Sequence, residues 1–191
     1  MCIRDSDVTV PAGKVVYTAW LNKRGGIESD LTVTRLSEDI FLVITAGASQ
    51  IRDLAWLHKN IPEDARTTVT DVTSGYTVLS LMGPESRNLM SRLTTEDLSN
   101  QAFPFGTGRE IEIGYAKALA LRMTYVGELG WEIYLPTEFA QDIYDKIIAA
   151  GGEHGLKLAG MHALNSLRLE KAYRHWGHDI TDEDTPLDAG L

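Results

Sequence analysis

The chain has 191 residues, a formal net charge of −9 at pH 7, 43% hydrophobic residues and 24% charged residues. This composition excludes a wholly disordered chain, and the acidic balance argues against broad binding to nucleic-acid backbones or anionic membranes. No apolar run reaches the roughly 18 residues that span a bilayer, and the single cysteine, Cys2, excludes an intrachain disulfide.

The first part of the chain is predicted to form a β-meander followed by a helix. Hydrophobic alternation and apolar runs indicate strands at residues 15–20, 31–36 and 40–45. Residues 22–26 form a turn whose paired glycines supply positive φ at low cost. A helix is predicted at residues 49–59, with Ser49 as its N-cap. The residues at helical spacing on its face are Ile51, Leu54, Ala55 and His58.

The remainder mixes strands with helices. A buried strand is predicted at 76–82, and further strands are predicted at 109–115, 118–125 and 131–135. Helices are predicted after Gly83-Pro84-Glu85, with Leu89, Met90 and Leu93 facing inward, and at 139–150 and 162–173. Because the strands cluster instead of alternating strictly with helices, the sequence predicts an α+β fold with mostly antiparallel sheets.

Two short motifs are weak evidence for a site. Gly106-Thr107-Gly108 lacks the third glycine of a dinucleotide-binding turn and leads into a strand, so it is rejected. His175 and His178 lie beside Asp179 and are conceivable metal ligands, although a surface or hydrogen-bonding role is favoured on residue type alone.

Three longer segments carry more information. In residues 17–31, Asp30 is predicted at the junction of a turn and a strand, where it either faces a cleft or bonds local N–H groups. In residues 122–133, Tyr125 and Glu132 are predicted to approach across a hairpin-like turn. A carboxylate there can accept paired N–H groups from a flat heterocycle while an aromatic ring stacks on it. The alternative is a solvent-facing Glu132 on an edge strand.

The third segment is residues 165–180. Its charges are also compatible with a solvated helix and its exit. Arg168 and Glu170 are two residues apart, so they lie on different faces of a helix and do not pair directly.

These three segments, in this order, resemble the tetrahydrofolate-binding aminomethyltransferase family, which includes the T-protein of the glycine cleavage system. The run Arg-Leu-Glu-Lys-Ala-Tyr-Arg-His-Trp-Gly-His-Asp-Ile at 168–180 is closer to the folate domain of dimethylglycine and sarcosine dehydrogenases. The run Tyr-Thr-Ala-Trp-Leu-Asn-Lys-Arg-Gly-Gly-Ile-Glu-Ser-Asp at 17–30 leans the same way. The resemblance implies an incomplete aminomethyltransferase-like domain over residues 8–191, lacking a C-terminal segment, after a poorly defined segment at 1–7.

The resemblance also implies roles for individual residues. Asp30 matches the aspartate near folate N5 and N10 and is the candidate catalytic residue. Tyr17 matches a residue that contacts the pterin, Tyr125 matches the tyrosine of a Tyr-x-Gly-Glu turn, and Glu132 matches the glutamate that grips the amino-pyrimidine edge. Val43 is a weaker match for a wall residue, and no metal is implied.

One departure separates the subfamilies. Leu164 stands where the T-protein has an arginine that helps to bind folate, which favours the dehydrogenase-like interpretation.

The implied function is capture of a one-carbon unit as 5,10-methylenetetrahydrofolate in a dimethylglycine- or sarcosine-dehydrogenase-like flavoprotein. The implied ligands are tetrahydrofolate and an iminium or formaldehyde derived from an N-methyl amine. FAD would belong to a separate oxidase domain absent from this chain. The expected compartment is the cytoplasm, or the mitochondrial matrix in a eukaryote. The alternatives are a separate glycine cleavage aminomethyltransferase, a related folate-dependent demethylase, and a catalytically inert regulatory homologue.

Overall fold

The computed structural model describes residues 3–4 and 6–191, so Cys2 and part of the predicted 1–7 segment lie outside the described residues. The chain divides into two compact units, one formed by Met1–Asp71 with Arg174–Leu191 and the other by Val72–Tyr173. Each unit contains a four-stranded antiparallel sheet, and the predicted α+β class is confirmed. Among the described residues, no helix has the length and apolar character needed to cross a membrane.

The sheet of the first unit is a meander with strand order β1-β2-β3-β4. Its strands are β1 (Ile3–Arg4), β2 (Val15–Leu21), β3 (Ile27–Arg35) and β4 (Phe41–Ile44). Strand β3 begins at Ile27, earlier than predicted, because Ile27, Ser29, Leu31 and Val33 alternate as its buried face. Asp30 and Thr32 therefore lie on the opposite face.

Helix α1 (Gln50–Asn60) packs on this sheet through a different face from the predicted one. Ile51, Ala55 and His58 are exposed, whereas Asp53 is buried and Trp56 and Leu57 pack against Trp20, Leu31 and Val33. Ser49 occupies the predicted N-cap position, but its hydroxyl makes no cap hydrogen bond to the helix backbone. The predicted face was wrong because a prediction from hydrophobic periodicity places every aspartate on the solvent side, whereas Asp53 is buried.

The C-terminal segment completes the first unit. The Ile27 N–H donates to the Asp184 carbonyl at 2.8 Å, and Trp176 Nε1 donates to the Ile27 carbonyl at 2.8 Å. A Cβ on Gly26 would lie 1.9 Å from the Asp182 carbonyl oxygen, so only glycine fits there. Helix α5 (Pro186–Ala189) follows, begun by a reciprocal capping box between Thr185 and Asp188.

The second unit has strand order β5-β8-β7-β6. Its strands are β5 (Tyr76–Met82), β6 (Gly108–Ile113), β7 (Ala116–Leu121) and β8 (Gly130–Pro136). Its helices are α2 (Ser86–Met90), α3 (Ala140–Gly151) and α4 (Met161–Glu170). The core is continuous from Leu81, Ile133 and Trp131 in the sheet to Leu89 and Met90 of α2, as predicted, and to Ile143 and Ile147 of α3.

Two strands differ from expectation. Strand β5 was predicted to be buried, but it is a sheet edge with Tyr76, Val78 and Ser80 exposed. Strand β7 ends at Leu121 instead of continuing to Tyr125. Tyr125 therefore lies in the turn that precedes β8.

Candidate functional site

Asp30 lies in the middle of β3, opposite Ala19 of β2, and not at a junction with the preceding turn. Tyr17 lies two residues from Ala19 on the same sheet face, and its hydroxyl donates to Asp30 Oδ2 at 3.0 Å. Such diagonal pairs are within reach of a long aromatic side chain. A cross-strand tyrosine contact therefore replaces the local-turn interpretation of Asp30.

Burial raises the pKa of the Asp30 carboxyl above its ordinary value. The Tyr17 hydrogen bond, the backbone N–H of Asp30 and the nearby His175 act in the opposite direction, while the Asp53 charge raises the pKa further. A carboxyl shifted in this way exchanges a proton closer to neutral pH than an exposed aspartate does. That property suits general acid–base chemistry.

A buried polar network supports the strand that carries Asp30. Asp53 of α1 is 2% exposed and accepts hydrogen bonds from Ser49 Oγ at 2.5 Å and from Ser29 Oγ at 3.2 Å. Arg52 Nη2 lies 2.9 Å from Asp53 Oδ1 and donates to the Glu28 carbonyl at 2.6 Å. Because Glu28 and Ser29 directly precede Asp30, this network fixes the backbone at the candidate catalytic residue.

Val43 lies on the other face of the same sheet. It pairs with Val33 and packs against Trp20, Leu31 and Val33, whereas Ile44 pairs with Thr32 on the Asp30 face. Side chains alternate between faces along a strand. A wall residue beside Asp30 is therefore expected at Ile44, and the assignment of that role to Val43 does not fit the register.

Glu132 lies in β8, an interior strand flanked by Ser80 of β5 and Leu121 of β7. The alternative of a solvent-facing glutamate on an edge strand is therefore wrong. Tyr134, two residues further on the same face, donates its hydroxyl to Glu132 Oε2 at 2.8 Å. Within the described chain no donor reaches Oε1, which keeps its acceptor capacity.

Burial raises the pKa of Glu132, and the Tyr134 hydrogen bond partly offsets this rise. Burial also raises the pKa of the Tyr134 hydroxyl well above its ordinary value, with the neighbouring Glu132 carboxylate acting in the same direction. Tyr134 consequently stays protonated and remains a hydrogen-bond donor. This arrangement holds a carboxylate in place while leaving it able to bind further donors.

Tyr125 lies in the turn between β7 and β8, with its ring stacked on Tyr173 at a centroid distance of 6.2 Å and an interplanar angle of 27°. Glu132 is hydrogen-bonded by Tyr134, and the approach of Tyr125 to Glu132 stays a prediction. Glu128 of the same turn lies 3.3 Å from Lys171 Nζ.

Arg168 is buried, at 3% exposure, and does not simply cover a solvated helix face. Its Nε and Nη2 donate to Asn165 Oδ1 at 2.7 and 2.5 Å, and its Nη1 donates to the Tyr173 carbonyl at 2.8 Å. The Tyr173 N–H in turn donates to the Arg168 carbonyl at 3.0 Å. Arg168 therefore binds both backbone polar groups of Tyr173.

The His175, His178 and Asp179 group forms a local structure. The His175 backbone N–H donates to Asp179 Oδ2 at 2.9 Å, and the two imidazole rings lie 4.4 Å apart. Across the described ranges, no group of three or more His, Cys, Asp or Glu residues is arranged to hold a metal ion.

Ala172 follows α4 with a φ of 56°, a left-handed conformation that favours glycine. Replacing Ala172 with Gly is expected to raise the free energy of unfolding by about 1 kcal/mol, because the Cβ strain is removed. Urea denaturation followed by circular dichroism measures the change. Ala163→Gly is the matched control: it lies inside α4 and should destabilise by about 0.5–1 kcal/mol. A loss of stability in both variants would contradict the assigned strain.

Comparison with known proteins gives the family of the chain. The family described as the GCVT N-terminal domain matches residues 2–191. The chain belongs to this family. The match covers every residue singled out above as a candidate.

The GCVT N-terminal domain is similar to parts of several longer proteins. It is 46% identical to 4-methylaminobutanoate oxidase (formaldehyde-forming) from Paenarthrobacter nicotinovorans, over 97% of the chain and 22% of the relative. It is 37% identical to the mitochondrial pyruvate dehydrogenase phosphatase regulatory subunit of Mus musculus, over 97% of the chain and 21% of the relative. It is 39% identical to the mitochondrial sarcosine dehydrogenase of Mus musculus, over 97% of the chain and 22% of the relative. The chain thus spans about a fifth of the length of these relatives.

Among solved structures, the domain is similar to the glycine cleavage system aminomethyltransferase T from Bartonella henselae. The TM-score is 0.80 at 29% sequence identity, covering 94% of this chain and 46% of that chain. The chain is therefore an aminomethyltransferase-type domain related to the sarcosine and dimethylglycine dehydrogenases.

The raised pKa of Glu132 has a consequence for the stability of this GCVT domain. A carboxyl whose pKa is higher in the folded than in the unfolded state favours folding less as pH rises from its ordinary value of 4.5 through the folded-state pKa. Glu132→Gln is therefore expected to raise the melting temperature at pH 7 and to leave it nearly unchanged at pH 3, where the wild-type carboxyl is protonated. Thermal denaturation at the two pH values measures this difference. An equal gain at both would show that charge burial is not its cause.

Proposed function

We propose that this domain captures a one-carbon unit on tetrahydrofolate, forming 5,10-methylenetetrahydrofolate, within a dimethylglycine- or sarcosine-dehydrogenase-like flavoprotein. The observation that carries the proposal is that each unit holds one half-buried carboxylate, Asp30 or Glu132, bound by one tyrosine hydroxyl at a position matched by the family resemblance. Two desolvated carboxylates lower the stability of the folded state. Groups that lower stability in this way are typical of binding and catalytic sites.

The side chains of the second unit that are candidates for binding fit a folate pterin. A pterin presents N–H groups along its amino-pyrimidine edge, and Glu132 Oε1 has acceptor capacity without a donor in the described chain. Tyr134 fixes the Glu132 carboxylate through Oε2, and Tyr125 offers an aromatic face in the adjacent turn. Glu132 would therefore hold the edge of the heterocycle while Tyr125 packs on its plane.

The candidate residues of the first unit fit the reacting end of tetrahydrofolate, which carries N5 and N10. Tetrahydrofolate supplies two amine nitrogens, N5 and N10, which join to one carbon at the formaldehyde level with loss of water. Asp30 would accept the proton released from N5 or N10 and return a proton to the departing oxygen, and Tyr17 would hold the carboxylate in position. On the same sheet face, Ile44 would supply an apolar wall.

The relatives support the donor class. One is described as a formaldehyde-forming oxidase that acts on a methylamino compound, and another is a sarcosine dehydrogenase. We propose that an FAD-binding domain elsewhere in the longer protein oxidises an N-methyl amine and that this domain receives the resulting carbon. We further propose a cytoplasmic location, or a mitochondrial one in a eukaryote, as in the mouse relatives.

A second candidate function is regulatory. It is favoured by the 37% identity to a phosphatase regulatory subunit, a relative whose name describes no folate chemistry. Under this alternative the fold serves as a binding or scaffold module. Tyr17, Asp30, Tyr125 and Glu132 would then be retained without catalysis.

Titration with (6S)-tetrahydrofolate, followed by calorimetry and by the rate of methylenetetrahydrofolate formation from formaldehyde, tests the proposal. We expect saturable binding and condensation faster than the spontaneous reaction. Binding without acceleration would support a regulatory domain that senses folate. Absence of binding by both the chain and a longer protein containing it would reject the proposed function.

A further inference from the structure

We infer that Tyr173 is a positioning residue for Tyr125, fixing that ring in the orientation that receives the planar heterocycle. This inference rests on the proposed function. The structural argument concerns the segment Lys171–Ala172–Tyr173 that follows α4, here called the 171–173 strap, and the turn at residues 124–129. No sequence motif assigned a role to Tyr173.

The strap makes three contacts with the turn, one from Tyr173 and two from Lys171. The Tyr173 ring stacks on Tyr125 at 6.2 Å between centroids. Lys171 Nζ lies 3.3 Å from Glu128 Oε1. The Lys171 side chain also packs over Gly127, where a Cβ would lie 2.6 Å from Lys171 Cγ. Gly127 has a φ of 65°, which favours glycine, and a side chain there would displace the Lys171 side chain.

Two hydrogen bonds fix the backbone of the strap to the last turn of α4. The buried Arg168 guanidinium donates to the Tyr173 carbonyl, and the Tyr173 N–H donates to the Arg168 carbonyl. Ala172 adopts a left-handed conformation that is strained for an alanine. The buried Arg168 and the strained Ala172 both adjoin Tyr173, and such strain persists where a particular geometry is needed.

The contacts also predict how loss of the Tyr173 ring would change ligand binding at Tyr125. One face of Tyr173 is occupied by Tyr125, and the ring is 38% exposed. A stacked aromatic pair is more stable than the burial of its surface area alone accounts for. Loss of the Tyr173 ring would remove the stacking contact that orients Tyr125, so a ligand that stacks on Tyr125 would have to order its ring again.

The first test measures the ring of Tyr125 without folate. Chain labelled with 3-fluorotyrosine gives a ¹⁹F NMR resonance for Tyr125, assigned by its loss in Tyr125→Phe. We expect Tyr173→Ala to move this resonance toward the free-tyrosine value and Tyr173→Phe to leave it nearly in place. Tyr144→Ala is the control, because Tyr144 is similarly exposed, at 36%, on α3. An unmoved Tyr125 resonance in Tyr173→Ala would overturn the inference.

The second test measures the dissociation constant for (6S)-tetrahydrofolate. We expect Tyr173→Ala to weaken binding about five- to tenfold, Tyr173→Phe to restore it, and the double variant Tyr125→Ala/Tyr173→Ala to match Tyr125→Ala alone. Unchanged binding in Tyr173→Ala, or additive losses in the double variant, would overturn the positioning role. If neither the wild-type chain nor a longer protein containing it binds tetrahydrofolate while the Tyr125 resonance responds as expected, the proposed function fails and the positioning of Tyr125 by Tyr173 stands.

Discussion

Replacing Asp30 with Asn is expected to leave tetrahydrofolate affinity near normal and to slow methylenetetrahydrofolate formation. Asparagine keeps the size of the side chain and can accept the Tyr17 hydrogen bond, but it cannot take up a proton. General acid–base assistance is typically worth about 10²–10⁴-fold. Because formaldehyde condenses with tetrahydrofolate unaided, the observed loss will be smaller where that background contributes.

The measurement is the partition between released formaldehyde and methylenetetrahydrofolate in a longer enzyme that contains the domain. Asp30→Asn should shift this partition toward formaldehyde while amine oxidation at the separate flavin continues. Asp39→Asn is the control, because Asp39 is an exposed aspartate of the same unit. An unchanged partition in Asp30→Asn would leave Asp30 as a structural partner of Tyr17 and would reject its catalytic role.

Replacing Glu132 with Ala is expected to weaken tetrahydrofolate binding without unfolding the protein. Losing charge-assisted hydrogen bonds to the pterin edge should cost on the order of 1.5–3 kcal/mol, or roughly ten- to a hundredfold in the dissociation constant. The fold should persist because the β8 backbone still pairs with β5 and β7, and removal of a half-buried charge relieves a desolvation cost.

The control for Glu132 is another glutamate of the same sheet. Glu128 of the neighbouring turn is an unsuitable control, because its contact with Lys171 couples it to the 171–173 strap. Glu110 of β6 is exposed and lies opposite Leu119, which makes Glu110→Ala the cleaner comparison. Equal losses of affinity in both variants would point to a general charge effect, and no loss in Glu132→Ala would remove Glu132 from the proposed site.

Local periodicity predicted the elements well where one sheet face is buried and the other is not. The meander followed from alternation in the first unit, and the inward face of α2 followed from Leu89 and Met90. Periodicity failed at α1, because Asp53 is buried and satisfied by Ser29, Ser49 and Arg52. A pattern of apolar residues carries no information about such a network, since it depends on partners from another element.

The candidate residues came from a family resemblance, and the structure adds the contacts that a single sequence does not contain. Tyr17 with Asp30 and Glu132 with Tyr134 are the pairs that hold the carboxylates. Nothing in the sequence indicated the contacts of Tyr173 and Arg168, for a physical reason. A left-handed residue after a helix is normally signalled by glycine, and here that position is Ala172.

The first unit is assembled from two distant stretches of the chain. Ile27 of β3 is bonded on both backbone polar groups to residues near the C-terminus, through Asp184 and Trp176. During synthesis β3 emerges long before these partners do, whereas Val72–Tyr173 forms one uninterrupted stretch. Since contiguous units can fold as they are made, the second unit can reach its native state on the ribosome. The first must wait, with the Asp30 strand incompletely bonded, until Arg174–Leu191 has been translated.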